Sequence, residues 1–397
     1  MTSPALESVF AFVHRYPAAE DGTLVAVDAT DRLLLDEAAA DLAAAGPGEV
    51  VVVDDRYGAL TLGAAAAHDL HEIRVHQDVL SGEIALARSA ERAGLADRYS
   101  SHPLGPEAFV GARVVLLQLP RSLAALTEIA ETIAASAHPD VVVYAGGRLK
   151  HMTRAMNDVL AASFEDVTAS LARQKSRVLV ARGLHPTAGA ASDADDAARP
   201  APSGPVTAHL AGIAVGRGKR IDLDVVAHGA AFAGAQLDLG TRFLLENLAP
   251  LDDARTAVDL GCGTGVLATA FALTHPEAQV VATDESDAAV RSAAATARVN
   301  RVRARVRVLR DDVGSQLDDA SADVVLLNPP FHVGAALDTA AAHRMFDAAA
   351  RLLRPGGELW AVWNSHLRYK PALSRAVGPT EVVAQNPKFT VTRSTRR

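Results

Sequence analysis

The sequence predicts an α/β protein of two tandem doubly wound, Rossmann-like units, the first a degenerate copy of the second. Three observations carry this expectation. Short β-branched runs alternate with longer Ala/Leu-rich stretches, the pattern of βα units on a parallel sheet. Landmarks recur down the chain: Val51–Asp55 against Ala257–Asp259, His71–Asp78 against Val280–Asp284, and VVLLQLP (Val114–Pro120) against VVLLNPP (Val324–Pro330). Their offsets of about 205, 206 and 210 residues are those of a duplication with small loop changes. Residues 185–207, rich in Ala, Pro, Gly, Ser and Asp and without apolar periodicity, read as a linker. The expected domains are therefore 1–184, a copy without cofactor, and 208–397, the working one.

In the second half the expected strands are Thr256–Leu260, Val280–Asp284, Val306–Leu309, Val324–Asn328 and Glu358–Trp363. The helices between them are Val266–Leu273, Ala288–Val299 and Ala341–Leu353, with Arg354-Pro355-Gly356-Gly357 stopping the last one. In the first half, the second strand is followed by a helix at Glu83–Ala93.

Composition bounds the function. With 397 residues and 49% hydrophobic content the chain has material for two cores. One cysteine, Cys262, excludes an internal disulfide framework and any multi-cysteine metal site, so no metal is expected. The start, MTSPALESVF, lacks a basic-then-apolar signal pattern, and no apolar run approaches a membrane span. A cytoplasmic protein is the expectation. The net charge of −8 argues at first against nucleic acid, but it is uneven: −10 over residues 1–200 and +2 over 201–397. The second half also holds a basic run, Arg298, Arg301, Arg303, Arg305, Arg307 and Arg310.

The chemistry concentrates in the second half. Gly261-Cys262-Gly263-Thr264-Gly265 follows a strand ending at Asp259-Leu260 and opens a helix, where glycine lets a ligand approach bare backbone and the helix start favours an anion. Asp259, Gly261, Cys262, Gly263, Gly265 and Asn328 are the expected cofactor contacts around this loop. The G-x-G-x-G spacing tilts toward S-adenosylmethionine over a dinucleotide. Asp284, ending the next strand, is placed to accept from both ribose hydroxyls. Asp312, with Asp311 as the competing choice, is the candidate for the adenine amine. Cys262 reads as a small loop filler.

Asn328-Pro329-Pro330-Phe331 stands at the end of the fourth strand, next to the first in a sheet wound this way. An sp²-bound NH₂ is a poor nucleophile because its lone pair is delocalised. The Asn328 side-chain oxygen and the Pro329 carbonyl can each accept one of its hydrogens, holding the nitrogen in line as charge develops. Phe331 can stack on a planar substrate. His332 is equally placed to orient the target or to pack. The first copy reads Asp-Asp-Arg-Tyr-Gly-Ala-Leu for the glycine loop and Gln118-Leu-Pro-Arg for the catalytic loop. Arg56 and Tyr57 put side chains where a ligand needs backbone.

At these residues the chain resembles the bacterial ribosomal RNA guanine-N2 methyltransferases, tandem class I methyltransferase folds with a degenerate N-terminal copy. DDRYGAL (Asp54–Leu60), LQLPRSLAAL (Leu117–Leu126), AGGRLKH (Ala145–His151) and ARQKSRVL (Ala172–Leu179) are similar to N-terminal landmarks of the large-subunit (23S rRNA) member. LDLGTRFLLENL (Leu237–Leu248), DLGCGTG, NPPFHVG and NSHLRY (Asn364–Tyr369) are similar to C-terminal ones. The small-subunit (16S rRNA) member is a close cousin. The resemblance implies transfer to the guanine N2 amine of ribosomal RNA or a subunit precursor, catalysis by Asn328 through Phe331, and RNA contact by the first copy. Arg148, Lys150 and Arg154 form a basic patch there. It also implies that Phe232 and the run Gln236–Thr241 cover the methionine end of the cofactor and the substrate amine. The acidic first half and long linker depart from the family. Two alternatives stay open: a protein glutamine-amide methyltransferase, whose amide suits the same loop, and a non-catalytic RNA-binding assembly factor.

Overall fold

The computed structural model describes residues 4–17, 25–185, 203–216, 218–330 and 339–397. Most of the expected linker, together with Phe331 and His332, lies outside the described residues. The chain divides into two compact units, Met1–Gly204 and Pro205–Arg397.

The first unit carries β1 (Val50–Val53), β2 (Ile73–His76), β3 (Tyr99–Ser101), β4 (Val114–Gln118), β5 (Val142–Arg148), β6 (Phe164–Ala169) and β7 (Ser176–Leu184). They form one seven-stranded sheet in the order β3-β2-β1-β4-β5-β7-β6. All pairs among β1 to β5 are parallel, and β7 runs antiparallel between β5 and β6. Both sheet faces are covered. In β1, Val50 and Val52 pack into one apolar layer and Val51 and Val53 into the other, which is why the strand reads as an unbroken valine run.

The second unit begins with an antiparallel hairpin, β8 (Val206–Val215) and β9 (Lys219–Ala227). The strand thus starts two residues inside the expected linker. Then come β10 (Thr256–Leu260), β11 (Gln279–Asp284), β12 (Val306–Arg310), β13 (Ala322–Leu327), β14 (Leu353–Asn364), β15 (Thr380–Gln385) and β16 (Phe389–Thr395). Their order, β12-β11-β10-β13-β14-β16-β15, repeats that of the first sheet position by position. The helices fall at Val266–Thr274, Asp287–Val299 and Thr339–Leu352. Arg354–Gly357 does not separate helix from strand. It forms an irregularity inside β14, whose pairing with β13 shifts register between Ala322 and Val324.

Ladder registers and left-handed residues align the two copies. Val53 pairs with His76 as Leu260 pairs with Thr283, an offset of 207 residues. The same offset sets Asp54 (φ 58°) on Gly261 (φ 78°) and Gly58 (φ 101°) on Gly265 (φ 75°). Asp54 N–H donates to the His76 carbonyl at 2.8 Å, as Gly261 N–H does to that of Thr283 at 2.8 Å. The expected pairing of Asp54 with Asp259 is therefore wrong by two residues. Adjacent acids in the first copy imitate the acid of the second, and only the backbone shows that Arg56, not Gly58, occupies the place of Gly263.

Candidate active site

In a sheet wound this way ligands bind beyond the carboxyl ends of the strands where the order reverses, here between β10 and β13. A pocket lies there, lined by the loop Gly261–Thr264, by Val266 and Leu267 of the following helix, by Phe232, Ala233, Gln236, Asp238 and Thr241, and by Asn328. It brings together the glycine loop, Asn328 and the segment before the first core strand. Phe232 stands at its rim, 70% exposed. Pro329 is buried behind the loop and Pro330 faces solvent.

Two glycines have distinct reasons to be glycine. A Cβ on Gly265 would come within 2.8 Å of Ala293 Cα, so this position keeps the loop against the helix Asp287–Val299. A Cβ on Gly263 would meet nothing within 4 Å, and there the requirement is the left-handed backbone (φ 52°) beside open space. The loop is less of a donor array than its sequence implies. The N–H groups of Gly261 and Cys262 donate to the Thr283 carbonyl, at 2.8 and 2.9 Å, and that of Gly265 to the Cys262 carbonyl at 2.8 Å. Gly263 N–H donates to Asp284 Oδ2 at 2.9 Å.

Asp284 therefore ties the loop to β11. Its Oδ1 also accepts from Ser286 N–H at 3.0 Å. The adjoining helix is capped by Ser286, which accepts from Ala289 N–H at 3.1 Å, so Asp284 is not needed as its cap. Asp311 is buried and spent internally, accepting from Ser315 Oγ and from Gln316 N–H at 3.1 Å. The neighbouring Asp312 forms an ion pair with Arg344.

Asp259 needs correction. It does not line the pocket: it is fully buried, and its Oδ2 accepts from Ala268 N–H at 2.9 Å, fastening the helix that the glycine loop opens. Its Oδ1 accepts no hydrogen bond among the described residues. Burial, with Asp284 nearby, pushes its carboxyl up to about 7. Burial likewise holds the Cys262 thiol well above its ordinary value, so it stays protonated and packs, as expected of a filler.

Asn328 is the most informative side chain. Its Nδ2 donates to Asp238 Oδ2 and to Thr241 Oγ1, both at 3.0 Å. Its Oδ1 is buried and accepts nothing among the described residues. An acceptor in that condition costs about 1–3 kcal/mol of desolvation unless a donor arrives. Sequence reasoning missed the part Asp238 plays here, because the bond spans 90 residues. The one local signal was Asp238 as an N-cap.

The basic residues separate into two kinds. Arg305 donates to the carbonyls of Ala272 and His275, and Arg310 to that of Glu285, so both are structural. Arg298, Arg301, Arg303 and Arg307 are exposed. In the first unit Arg148 ends β5, Lys150 lies in the 3₁₀ turn Leu149–His151 and Arg154 opens the helix Arg154–Ala161. Arg148 Nη1 stands 3.9 Å from Asp28 Oδ2. Among the described residues no helix is long and apolar enough to cross a membrane.

Known proteins match both units. Residues 1–185 match the family described as RLMG N-terminal domain, and residues 222–393 that described as Methyltransferase small domain. The chain is 37% identical to a ribosomal RNA large subunit methyltransferase G of Streptomyces avermitilis, over 96% of each chain. It is 34% identical to the protein of the same name in Pseudomonas paraeruginosa, over 95% of each. The chain belongs to the ribosomal RNA large subunit methyltransferase G family. Among solved structures, a T. thermophilus 16S rRNA N2 G1207 methyltransferase (RsmC), in complex with AdoMet and guanosine, has a TM-score of 0.71 at 22% identity, over 93% of this chain and 92% of that one. That likeness covers both units of this chain and establishes the tandem class I methyltransferase fold.

Proposed function

We propose that this chain transfers a methyl group from S-adenosylmethionine to the exocyclic N2 amine of a guanine in ribosomal RNA, 23S in preference to 16S. The observation that carries the reading is the buried Asn328 Oδ1, an acceptor without a donor among the described residues, at the pocket that the glycine loop also lines. An amine N–H is the group that relieves it. Membership of the large subunit methyltransferase G family supports ribosomal RNA as the substrate class. The named N2 chemistry of the T. thermophilus protein points the same way.

The pocket fits the cofactor. Open space beside Gly263 admits a ligand against bare backbone, and Asp284 offers a carboxylate next to it. S-adenosylmethionine supplies an electrophilic methyl when bound. Gly261, Cys262, Gly263 and Gly265 shape its cradle, Asp284 accepts from its ribose and Asp312 from its adenine. Asn328 Oδ1 and the Pro329 carbonyl each accept one hydrogen of the substrate amine. This holds the nitrogen in line and favours its rehybridisation as positive charge develops. Pro330 stiffens the turn, Phe331 stacks on the base, and Phe232 and His332 flank the target. The N2 edge is paired in a helix, so the base must be unpaired or extruded.

Residues 1–184 serve in RNA binding and hold no cofactor. In that copy Arg56 replaces Gly263 and Gln77 replaces Asp284, which removes both the open backbone and the carboxylate. Arg148, Lys150 and Arg154 contact phosphates, and the partner is ribosomal RNA or a subunit precursor.

The test is in vitro transfer of labelled methyl to 23S and 16S RNA and to subunit precursors from a strain lacking the gene, with nuclease digestion and mass mapping. N2-methylguanosine in 23S RNA is the expected product. Methyladenosine, or label on a protein glutamine, would overturn the assignment.

A further inference from the structure

Asn328 serves the reaction only if its oxygen, and not its nitrogen, faces the amine. The two ends of a side-chain amide are nearly isosteric, and a half-turn about its last bond exchanges acceptor for donor. Something must hold the correct orientation. The two Nδ2 hydrogens are taken by Asp238 Oδ2 and Thr241 Oγ1, both at 3.0 Å. Turning the amide would set Oδ1 against a carboxylate oxygen, which cannot donate. The same Asp238 oxygen accepts from Thr241 N–H at 3.0 Å and so caps the helix Leu239–Asn247, which fixes the carboxylate itself. A Cβ on Gly240 would lie 3.0 Å from Asp238 Oδ2 and 3.4 Å from Asn328 Oδ1, so a glycine keeps this junction uncrowded.

The first unit holds a related arrangement with the duties divided, Asp28 at the cap place of Asp238 and Asp31 at the place of Thr241. There Asp28 caps the helix Ala29–Glu37, and Gln118, at the register position of Asn328, donates through Nε2 to Asp31 Oδ1. An amide at the end of the fourth strand, held from a helix that precedes the first strand, thus outlasts the loss of the glycine loop, though in that copy the grip comes from the place of Thr241 and not from that of Asp238.

We propose that Asp238 is a positioning residue for methyl transfer: it locks the Asn328 amide with Oδ1 toward the reacting amine, and Thr241 Oγ1 assists it. This rests on the reading of Asn328 as amine acceptor. Asp238→Ser separates the two duties of the residue, because serine caps a helix as well as aspartate does but is too short to reach Asn328 Nδ2. Expected are a melting temperature close to wild type and, at saturating S-adenosylmethionine, a kcat lowered about tenfold or more. Asp238→Asn, which keeps an acceptor and the cap, should recover part of the loss. In an Asn328→Ala background Asp238→Ser should cost nothing further, as positioning has no object there. A wild-type kcat in Asp238→Ser, or losses that multiply in the double variant, would overturn the proposal. A second readout needs no turnover. With asparagine-selective ¹⁵N labelling, the Asn328 side-chain amide, assigned by its loss in Asn328→Ala, should show a proton shifted downfield by its carboxylate partner, and Asp238→Ser should abolish that shift. If the wild-type chain methylated no RNA, the proposed function would fall while this resonance still decided the clamp. An unchanged resonance in Asp238→Ser would refute the clamp whatever the substrate.

Discussion

The two copies share a backbone frame and differ in what stands on it. Around the loop after the first strand, Asp54 and Gly261 are both left-handed and donate to equivalent carbonyls. Gly58 and Gly265 both open the next helix from the left-handed region. Even the fastening of that helix start by a buried carboxylate recurs, from different places. Asp55 in the loop accepts from Leu60 and Thr61 N–H, at 3.1 and 2.7 Å, whereas Asp259 in the strand accepts from Ala268 N–H. The copies part where the second has Gly263, Asp284 and Asn328 and the first has Arg56, Gln77 and Gln118. The fold is carried by hydrogen bonds that any side chain tolerates, and the chemistry by a few side chains that the fold does not need.

The comparison can be broken at each of those positions. Gly263→Arg installs the first copy's residue in the second. A Cβ at φ 52° is strained and the side chain fills the pocket, so S-adenosylmethionine binding should be lost by calorimetry. Retained binding would mean that the degenerate loop is not what disables the first copy. Asn328→Ala removes an acceptor that matters as charge develops, so turnover should fall roughly 10²–10³-fold with little change in cofactor affinity. Equal losses in both would make the loop structural. Asp284→Ala should weaken cofactor binding by about tenfold or more, since a hydrogen bond to a charged group is worth about 1.5–3 kcal/mol. Part of that loss comes from untying Gly263 N–H, and Asp284→Asn should therefore retain some affinity.

The smallest effect concerns pH. Asp259 has its carboxyl raised to about 7 in the folded chain, above the ordinary value of 3.8. The folded state then binds the proton more tightly than the unfolded one. Its contribution to stability is full below about pH 4 and is lost as pH rises through about 7. Asp259→Asn, which keeps an acceptor for Ala268 N–H, should flatten the decline of the melting temperature over that window. An unchanged slope would place the ionisation elsewhere.

Much of this was legible in the sequence. Strands such as Thr256–Leu260 were readable because parallel strands buried on both faces are unbroken apolar runs. Asn328 and the glycine loop were readable because the chemistry proposed for them needs residue types that ordinary turns do not. The antiparallel strands β6 and β15 were not, since exposed residues such as those of Thr380–Gln385 give no clean period. The place of Arg56 was missed by two residues because Asp54 adopts a glycine's backbone conformation. The grip of Asp238 on Asn328 is a tertiary fact, and the role of Asp259 depends on burial that its motif does not encode.

On the function proposed above, one copy works and the other only shares its frame. Calorimetric titration of the full chain with S-adenosylmethionine tests it most directly. The expected result is one site per chain, abolished by Gly263→Arg and indifferent to Arg56→Ala. Two sites per chain, or one site that survives Gly263→Arg, would contradict it.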